Sequence, residues 1–435
     1  MPLRFTTILL ASFTIAARAQ GPDLIGYWQN WNDANSPYIE LDQIDPRYSV
    51  VEVAFAEPVV GSTSNLQFAP AQVPQSVLIG QIANLQALGK RVLISIGGAN
   101  ATVQLNTNAQ RDEFVNSMLS ILNTFNFDGM DLDLEGSSVS ISGGTIATPT
   151  DQPIIRLIDA VNSIATQYEA LHGHHMMLTM APETAFVQGG QSAFGGIWGA
   201  YLPIIDALRD RLDILQVQLY NSGSMYGIDG GIYNQGTADF IVSQTEAVLH
   251  GFSTSGGYFD PLPPEKVAIA LPACPAAAGG GYVPPTVLAS AVDYLRGTGA
   301  QPGSYVRSST YPSLRGLMTW SINWDAVSTC NTTSYEYAQS FEDLFGISTG
   351  MEGSTISNDF RVWPTIARAG EEIHVASKNP IVNAQLIDFS GKLVSRMRIG
   401  ADGVAQIPAI EEGLYVIRVL CVNGTIGNER VIIAR

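Results

Sequence analysis

The run Phe127-Asp128-Gly129-Met130-Asp131-Leu132-Asp133-Leu134-Glu135 sets acidic and large apolar side chains in alternation. On a β-strand successive side chains point to opposite faces, so Asp131, Asp133 and Glu135 share one face and Met130, Leu132 and Leu134 the other. A solvent-facing acidic ladder would not need a large apolar residue in every intervening place. A calcium site would want a loop with acceptors at flexible spacing. The pattern instead fits a strand whose apolar face meets helices while three carboxylates point into the interior of a closed sheet. Like charges buried side by side without cations are costly, so at least one of these carboxyls should hold a proton near neutral pH. That is the physical basis of a general acid. Glu135 closes the run at the end of the strand where barrel enzymes keep their chemistry, with Asp133 one pleat beneath it.

Outward from this strand, short apolar runs alternate with helix-period stretches. The runs read as strands are Leu24–Asn30, Val50–Ala56, Arg91–Ile96, Gly129–Glu135, Met176–Ala181, Ile214–Tyr220, Val267–Leu271 and Leu317–Ile322. Between them lie helical periods at Val77–Leu88, Arg111–Phe125, Ile154–Tyr168, Ala238–Leu249 and Thr286–Leu295. Eight nearly continuous apolar strands alternating with helices predict an α/β fold, a (β/α)8 barrel. An open doubly wound sheet would carry a glycine-rich phosphate turn after its first strand, and Tyr27-Trp28-Gln29-Asn30-Trp31 stands there instead. Past about residue 358 the helical period disappears. Alternating runs at 373–376, 382–387, 414–420 and 430–434, with turn chemistry at Asp388-Phe-Ser-Gly, Ala401-Asp-Gly and Asn423-Gly, predict a small all-β sandwich.

The chain has 435 residues, more than one ordinary core needs, and its net charge of −17 excludes phosphate backbones and anionic lipid as natural partners. Residues 351–435 balance nine acids against nine bases, so the excess negative charge lies upstream. The two parts therefore differ in surface physics, and the Gly- and Ser-rich stretch 347–358 reads as a linker between a barrel at 20–346 and a sandwich at 359–435. Residues 1–19 read as a signal peptide: Arg4, an apolar run from Phe5 to Ala17 too short to span a bilayer, and a small-x-small triplet at 17–19. The chain is expected to be secreted, free or attached at the cell surface, without an integral membrane span. Of Cys274, Cys330 and Cys421, at most one pair can close. Cys274 with Cys330 is one candidate, and buried free thiols are the alternative. The histidines of His172-Gly-His174-His175 fall just before the fifth strand, on the face away from the carboxylates, and read as a solvated loop rather than a metal site.

Asp128-Gly-Met-Asp131-Leu-Asp133-Leu-Glu135 closing a fourth barrel strand resembles the DGxDxDxE motif of glycoside hydrolase family 18. Ser95-Ile-Gly97-Gly98 resembles its SxGG on strand three. Leu178-Thr-Met-Ala-Pro-Glu183, Gln216-Val-Gln218-Leu-Tyr220-Asn221 and Gly316-Leu-Met-Thr-Trp320-Ser-Ile-Asn-Trp-Asp325 resemble strands five, six and eight of its branch containing plant hevamine and many bacterial chitinases. The likeness spans about residues 22–346. It implies a chitinase cutting β-1,4 N-acetylglucosamine linkages with retention, without cofactor or metal, and in which the substrate's own 2-acetamido carbonyl replaces the second carboxylate. Glu135 is then the acid and base. Asp133, backed by Asp131, orients the acetamido group, and Tyr220 donates its hydroxyl to the acetamido oxygen. Gln218, Asn221, Glu183, Ser95 and Gly97 are implied to line the substrate site, with Trp320 as its floor and Trp31 flanking it; Trp28, Trp198 and Trp324 are further flanking candidates. Release of N-glycans by an endo-β-N-acetylglucosaminidase and a non-catalytic chitin lectin are the competing readings. No inserted domain stands between strands seven and eight, which predicts an open cleft and endo-acting cleavage by a monomer. The tail, with Phe360-Arg-Val-Trp-Pro, Asp388-Phe-Ser-Gly-Lys392, Gly413-Leu-Tyr-Val-Ile-Arg418 and Arg430–Arg435, resembles the C-terminal sorting domains of the type IX secretion system. That resemblance implies a partner in the outer-membrane secretion machinery of a Bacteroidetes-like host. The alternative is a carbohydrate-binding sandwich.

Overall fold

A computed structural model describes residues 21–346 and, within 360–434, all but 378–380, 389–392, 401–402, 411 and 422–425. The signal-peptide and linker expectations, and the turn residues inside those gaps, lie outside the described residues. The chain divides into two compact units, Met1–Ile347 and Ser348–Arg435.

In the first unit eight parallel strands form the ring: β1 (Asp23–Gln29), β2 (Val50–Pro58), β3 (Arg91–Gly97), β4 (Gly129–Asp133), β5 (Met177–Met180), β6 (Ile214–Leu215), β7 (Ala268–Pro272) and β8 (Gly316–Trp320). Their order is β7-β8-β1-β2-β3-β4-β5-β6. Parallel bridges from Leu215 to Val267 and from Gln218 to Ala270 close the circle. The helices are α1 (Gln75–Ala87), α2 (Asn108–Phe125), α3 (Gln152–His172), α4 (Leu202–Ala207), α5 (Ala238–His250), α6 (Pro285–Arg296), α7 (Ile322–Asp325) and α8 (Glu336–Phe345). Local chemistry sets their ends. Thr107 and Gln110 form a capping box at the start of α2, and left-handed Asn126 ends it. Thr237 caps α5, while Gly173 and Gly297 terminate α3 and α6.

Met130, Leu132, Leu178 and their neighbours belong to the large core between strands and helices. A smaller cluster, including Ile25, Tyr27, Val50, Ala54, Leu93, Ala270 and Met318, fills the barrel itself. The alternation in the acidic run thus divides between these two cores. Several strand ends differ from expectation: β6 covers only Ile214–Leu215 of the run read to Tyr220, its continuation bridging β7 singly at Gln218. β4 stops at Asp133 because the Leu134 amide turns to the Tyr201 hydroxyl at 2.9 Å instead of the ladder, so Glu135 stands in the loop above. β8 stops at Trp320, and Ser321 then caps α7 through the Trp324 amide. Cys274 and Cys330 are joined, with Cα atoms 5.8 Å apart, tying the loop after β7 to the loop after α7.

The second unit has a three-stranded sheet (Phe360–Trp363, Glu372–Ser377, Val404–Gln406) and a five-stranded one (Ile366–Arg368, Ile381–Asp388, Leu393–Met397, Gly413–Cys421, Ile426–Ala434). Val362, Ile373 and Val375 of the first share a core with Leu386, Ile417, Val419 and Val431 of the second, which makes the unit a sandwich.

Gly129 enters the ring where β4 and β5 approach so closely that a Cβ would overlap the Met177 carbonyl. That backbone belongs to the ladder and has little room to yield. Gly129→Ala should therefore destabilise the barrel by about 1–3 kcal/mol or more, read as a lowered unfolding midpoint in denaturant.

Candidate active site

Register builds the site from below. Ser95 on β3, Asp131 on β4 and Thr179 on β5 are paired across the ladders, as are Gly97 and Asp133 one layer higher. Asp131 is fully buried. Its Oδ2 accepts the Tyr27 hydroxyl at 2.6 Å and the Ser95 hydroxyl at 2.7 Å, and its Oδ1 lies 2.7 Å from Thr179 Oγ1. Asp133 is nearly buried, and Glu135 stands above it at the cleft. Gln218 Nε2 lies 2.8 Å from Asp133 Oδ1 and 3.0 Å from Glu135 Oε1, bracing both from the β6 side.

Burial pushes the Asp133 carboxyl well above the usual carboxylate range, and the neighbouring Glu135 and Asp131 charges add to it. Asp133 and Glu135 are held side by side by the same Gln218 amide, so the Asp133 carboxyl is the more costly of the two to ionise beside its neighbour. Burial also raises Asp131, against which its three hydroxyl donors work. None of the ion pairs among the described residues includes any of these acids. Burial and the nearby carboxylates hold the Tyr27, Tyr201 and Tyr220 hydroxyls well above their ordinary range, so all three remain donors.

Above the acids lies a cleft of about 370 Å³. Glu135, Asp133, Gln218, Tyr220 and Asn221 line one side, Gly97 another, and Trp31, Phe55 and Trp320 form an aromatic wall. Phe55 and Trp320 stack with centroids 5.9 Å apart and planes 11° from parallel, and Trp31 stacks on Phe55 at 6.3 Å. A second hollow of about 1020 Å³ begins at the same Trp31 and Trp320 and continues past Asn35, Asn323 and Trp324.

Most of the residues singled out in the sequence meet here, with exceptions. Ser95 is wholly buried and serves Asp131 from the neighbouring strand at the same level rather than lining the cleft. Trp28 is a core residue whose indole donates to the Ile39 carbonyl, so it flanks no cleft. Glu183 is half-buried, its carboxyl pushed up by burial and by Glu135, and it bridges Gln218 through the backbone rather than lining the cleft. Trp198 is exposed away from these two hollows. The histidine loop is not merely solvated: His175 sits between Glu169 (3.1 Å) and Asp213 (2.9 Å). Among the described residues no group of three or more His, Cys, Asp or Glu is disposed to hold a metal. Strand alternation does not bring out Glu52 and Phe55, which lie three places apart on β2 and face the barrel together through the shift in its register after Val53. Only their shared barrel-facing side with Tyr27 and Trp31 marks them.

A (β/α)8 barrel with a graded row of carboxyls at its C-terminal rim, beside an aromatic-floored groove, is the architecture of a carbohydrate-cleaving enzyme. The model of the glycosyl hydrolases family 18 matches residues 23–281, and the chain belongs to that family. Chitinase Chi52 of Paenibacillus xylanexedens is 46% identical over 310 residues, covering 70% of this chain and 58% of the relative. Chitinase D of Niallia circulans is 45% identical over 311 residues with the same coverage. The chain thus spans 58% of the length of these curated relatives. The crystal structure of a family GH18 chitinase from Chromobacterium violaceum superposes with a TM-score of 0.65 at 36% identity, over 75% of this chain and 84% of that one.

A carboxyl whose pKa rises on folding stabilises the fold while protonated, and that contribution is lost as pH climbs through the folded value. Asp133 is such a group. Asp133→Asn should accordingly raise the melting temperature at pH 8 more than at pH 4, by about 2–4 °C for each kcal/mol relieved, as scanning calorimetry would show. Equal shifts at both pH values would contradict the assignment.

Proposed function

We propose that the barrel unit is a retaining chitinase of the hevamine-like bacterial branch. It would hydrolyse β-1,4 N-acetylglucosamine linkages of chitin and chitooligosaccharides by substrate-assisted catalysis. The observation that carries this reading is the vertical order Asp131, Asp133, Glu135, with only Asp133 and Glu135 of the row reaching the cleft. Glu135 gives a proton to the glycosidic oxygen as the C1–O bond breaks. The substrate's acetamido carbonyl oxygen bonds to C1 and forms an oxazolinium ion. Asp133 accepts a hydrogen bond from the acetamido N–H and offsets the developing positive charge. Glu135 then takes a proton from the water that opens the ring, restoring the enzyme and the original configuration.

The flat face of Trp320 suits the C–H surface of the reacting sugar, and Tyr220 is placed beside the same cleft to hold the acetamido oxygen. A second apolar face at Trp31 and a hollow continuing beyond it suit further sugars of a chain. Between β7 and β8 the described chain carries α6 and loops, with no inserted domain to roof the groove, which favours endo-acting cleavage. Both curated relatives are named chitinases. We read residues 1–19 as the export leader and the sandwich unit as a type IX sorting domain that brings the enzyme outside the cell. Sugar-binding by the sandwich is less favoured, since Tyr415 packs against its core and Trp363 is paired face to face with His374. Among the described residues no helix is long and apolar enough to cross a membrane.

The test is Glu135→Gln against wild type on chitohexaose and on a high-mannose glycoprotein, with products weighed by mass spectrometry. Wild type should cut the oligomer and release its first product as the β-anomer by proton NMR. The variant should lose roughly 10²–10⁴-fold in kcat. Cleavage of the glycoprotein alone would move the reading to N-glycan release, and binding without cleavage to a lectin.

A further inference from the structure

Below the row of carboxyls the barrel buries a fourth acid that the hydrolytic reading does not use. Glu52 projects inward from the middle of β2, opposite Tyr27 on β1, and is wholly excluded from solvent. Its Oε1 lies 2.8 Å from Thr179 Oγ1, and that same oxygen is 2.7 Å from Asp131 Oδ1. A hydroxyl carries one proton and an ionised carboxylate carries none, so one threonine cannot donate to two carboxylates at once. One of the two acids must bring a proton of its own to the threonine oxygen.

The remaining contacts decide which. Asp131 already accepts the Tyr27 and Ser95 hydroxyls on its other oxygen, so its negative charge is well supported. Glu52 has, besides the threonine, only the Gln216 amide, at 2.6 and 2.8 Å. The titratable groups that face it are Tyr27, Asp131, Asp133 and Tyr220, all neutral or negative, with no cation among them.

We propose that Glu52 is a positioning residue for hydrolysis: it holds a proton and donates it to Thr179 Oγ1, whose own proton is thereby directed to Asp131. Thr179 works as the link because it can accept from one acid while donating to the other. Asp131 then stays ionised beneath Asp133, and the mobile proton of the site stays in the upper pair, Asp133 and Glu135, where the glycosidic oxygen arrives. Were Glu52 ionised as well, the threonine proton would turn toward it and Asp131 would have to retain a proton, drawing it away from Asp133. Burial and the Asp131 charge push the Glu52 carboxyl well above its ordinary range, in keeping with this direction. The role rests on the reading of Asp133 and Glu135 as the reacting carboxyls, whereas the protonation itself does not.

Neutron diffraction from a perdeuterated wild-type crystal at pH 7 reads the protons directly. The expected map has deuterium on Glu52 Oε1 aimed at Thr179 and the Thr179 deuterium aimed at Asp131. A bare Glu52 with the Thr179 deuterium pointing to it would overturn the proposal, whether or not the enzyme cuts chitin. The kinetic companion is the pH profile of kcat/KM on chitohexaose for Glu52→Gln, which replaces a neutral acid by a neutral amide. Its acidic limb should coincide with that of wild type. A limb displaced downward by about one unit or more, as removal of a buried anion would produce, contradicts a protonated Glu52.

Discussion

Four carboxyls, from Glu52, Asp131, Asp133 and Glu135, crowd one side of the barrel interior and its mouth with no ion pair to a basic side chain among the described residues, and the rest of the site follows from how that charge is accommodated. The accommodation is by hydroxyls and protons. Tyr27, Ser95 and Thr179 gather on Asp131, which lets the lowest member of the row carry its charge. Asp133, with fewer donors and acidic neighbours on either side, is pushed by burial and by those charges toward its protonated form. A lysine or arginine in the same space would favour the ionised acids and weaken the source of acid chemistry. The closed ring of strands makes the arrangement possible, because parallel register sets Ser95, Asp131 and Thr179 level with one another across three strands.

Much of this was legible in the sequence for a physical reason. A barrel strand has two buried faces of different kinds, and Met130, Leu132 and Leu134 could face only the helices, which left Asp131, Asp133 and Glu135 for the interior. All eight strands were legible as apolar runs between helical periods. The ends were less so. Nothing in Leu134 announces that its amide would turn to Tyr201, sixty-seven residues on, and leave Glu135 above the ladder. The six residues of α4 are too few to show a period. Glu52 and Phe55 were hidden because they lie three places apart, on opposite faces by strict alternation, and the register shift of β2 between Val53 and Ala56, which turns Phe55 to the barrel side, leaves no mark in the sequence. Ser95 and Trp28 mark the opposite failure: motif position drew them toward the substrate, while packing put one beside Asp131 in the buried layer and the other in the core.

The groove owes its character to aromatic side chains brought from three strand ends. Trp31 follows β1, Phe55 lies within β2 and Trp320 ends β8, strands adjacent in the ring though far apart in sequence. Their stacking presents a continuous apolar wall in the cleft that Glu135, Gln218 and Asn221 line with polar groups. A pyranose has the same division between its C–H face and its hydroxyl rim. The disulfide adds a constraint from the other direction, since Cys274 leads into Ala277 and Ala278 of the first cleft while Cys330 borders the second hollow. Walls contributed by two loops are thus held to one another at the point where the groove widens.

The central claim is that a single catalytic acid, Glu135, suffices because the substrate supplies its own nucleophile. Digestion of partially N-acetylated chitosan, followed by sequencing of the new reducing ends, tests this most directly. The account predicts that N-acetylglucosamine occupies every new reducing end, whatever the degree of acetylation of the polymer. Glucosamine at those ends in proportion to its abundance would contradict it, since a sugar without the acetyl carbonyl has nothing with which to attack C1.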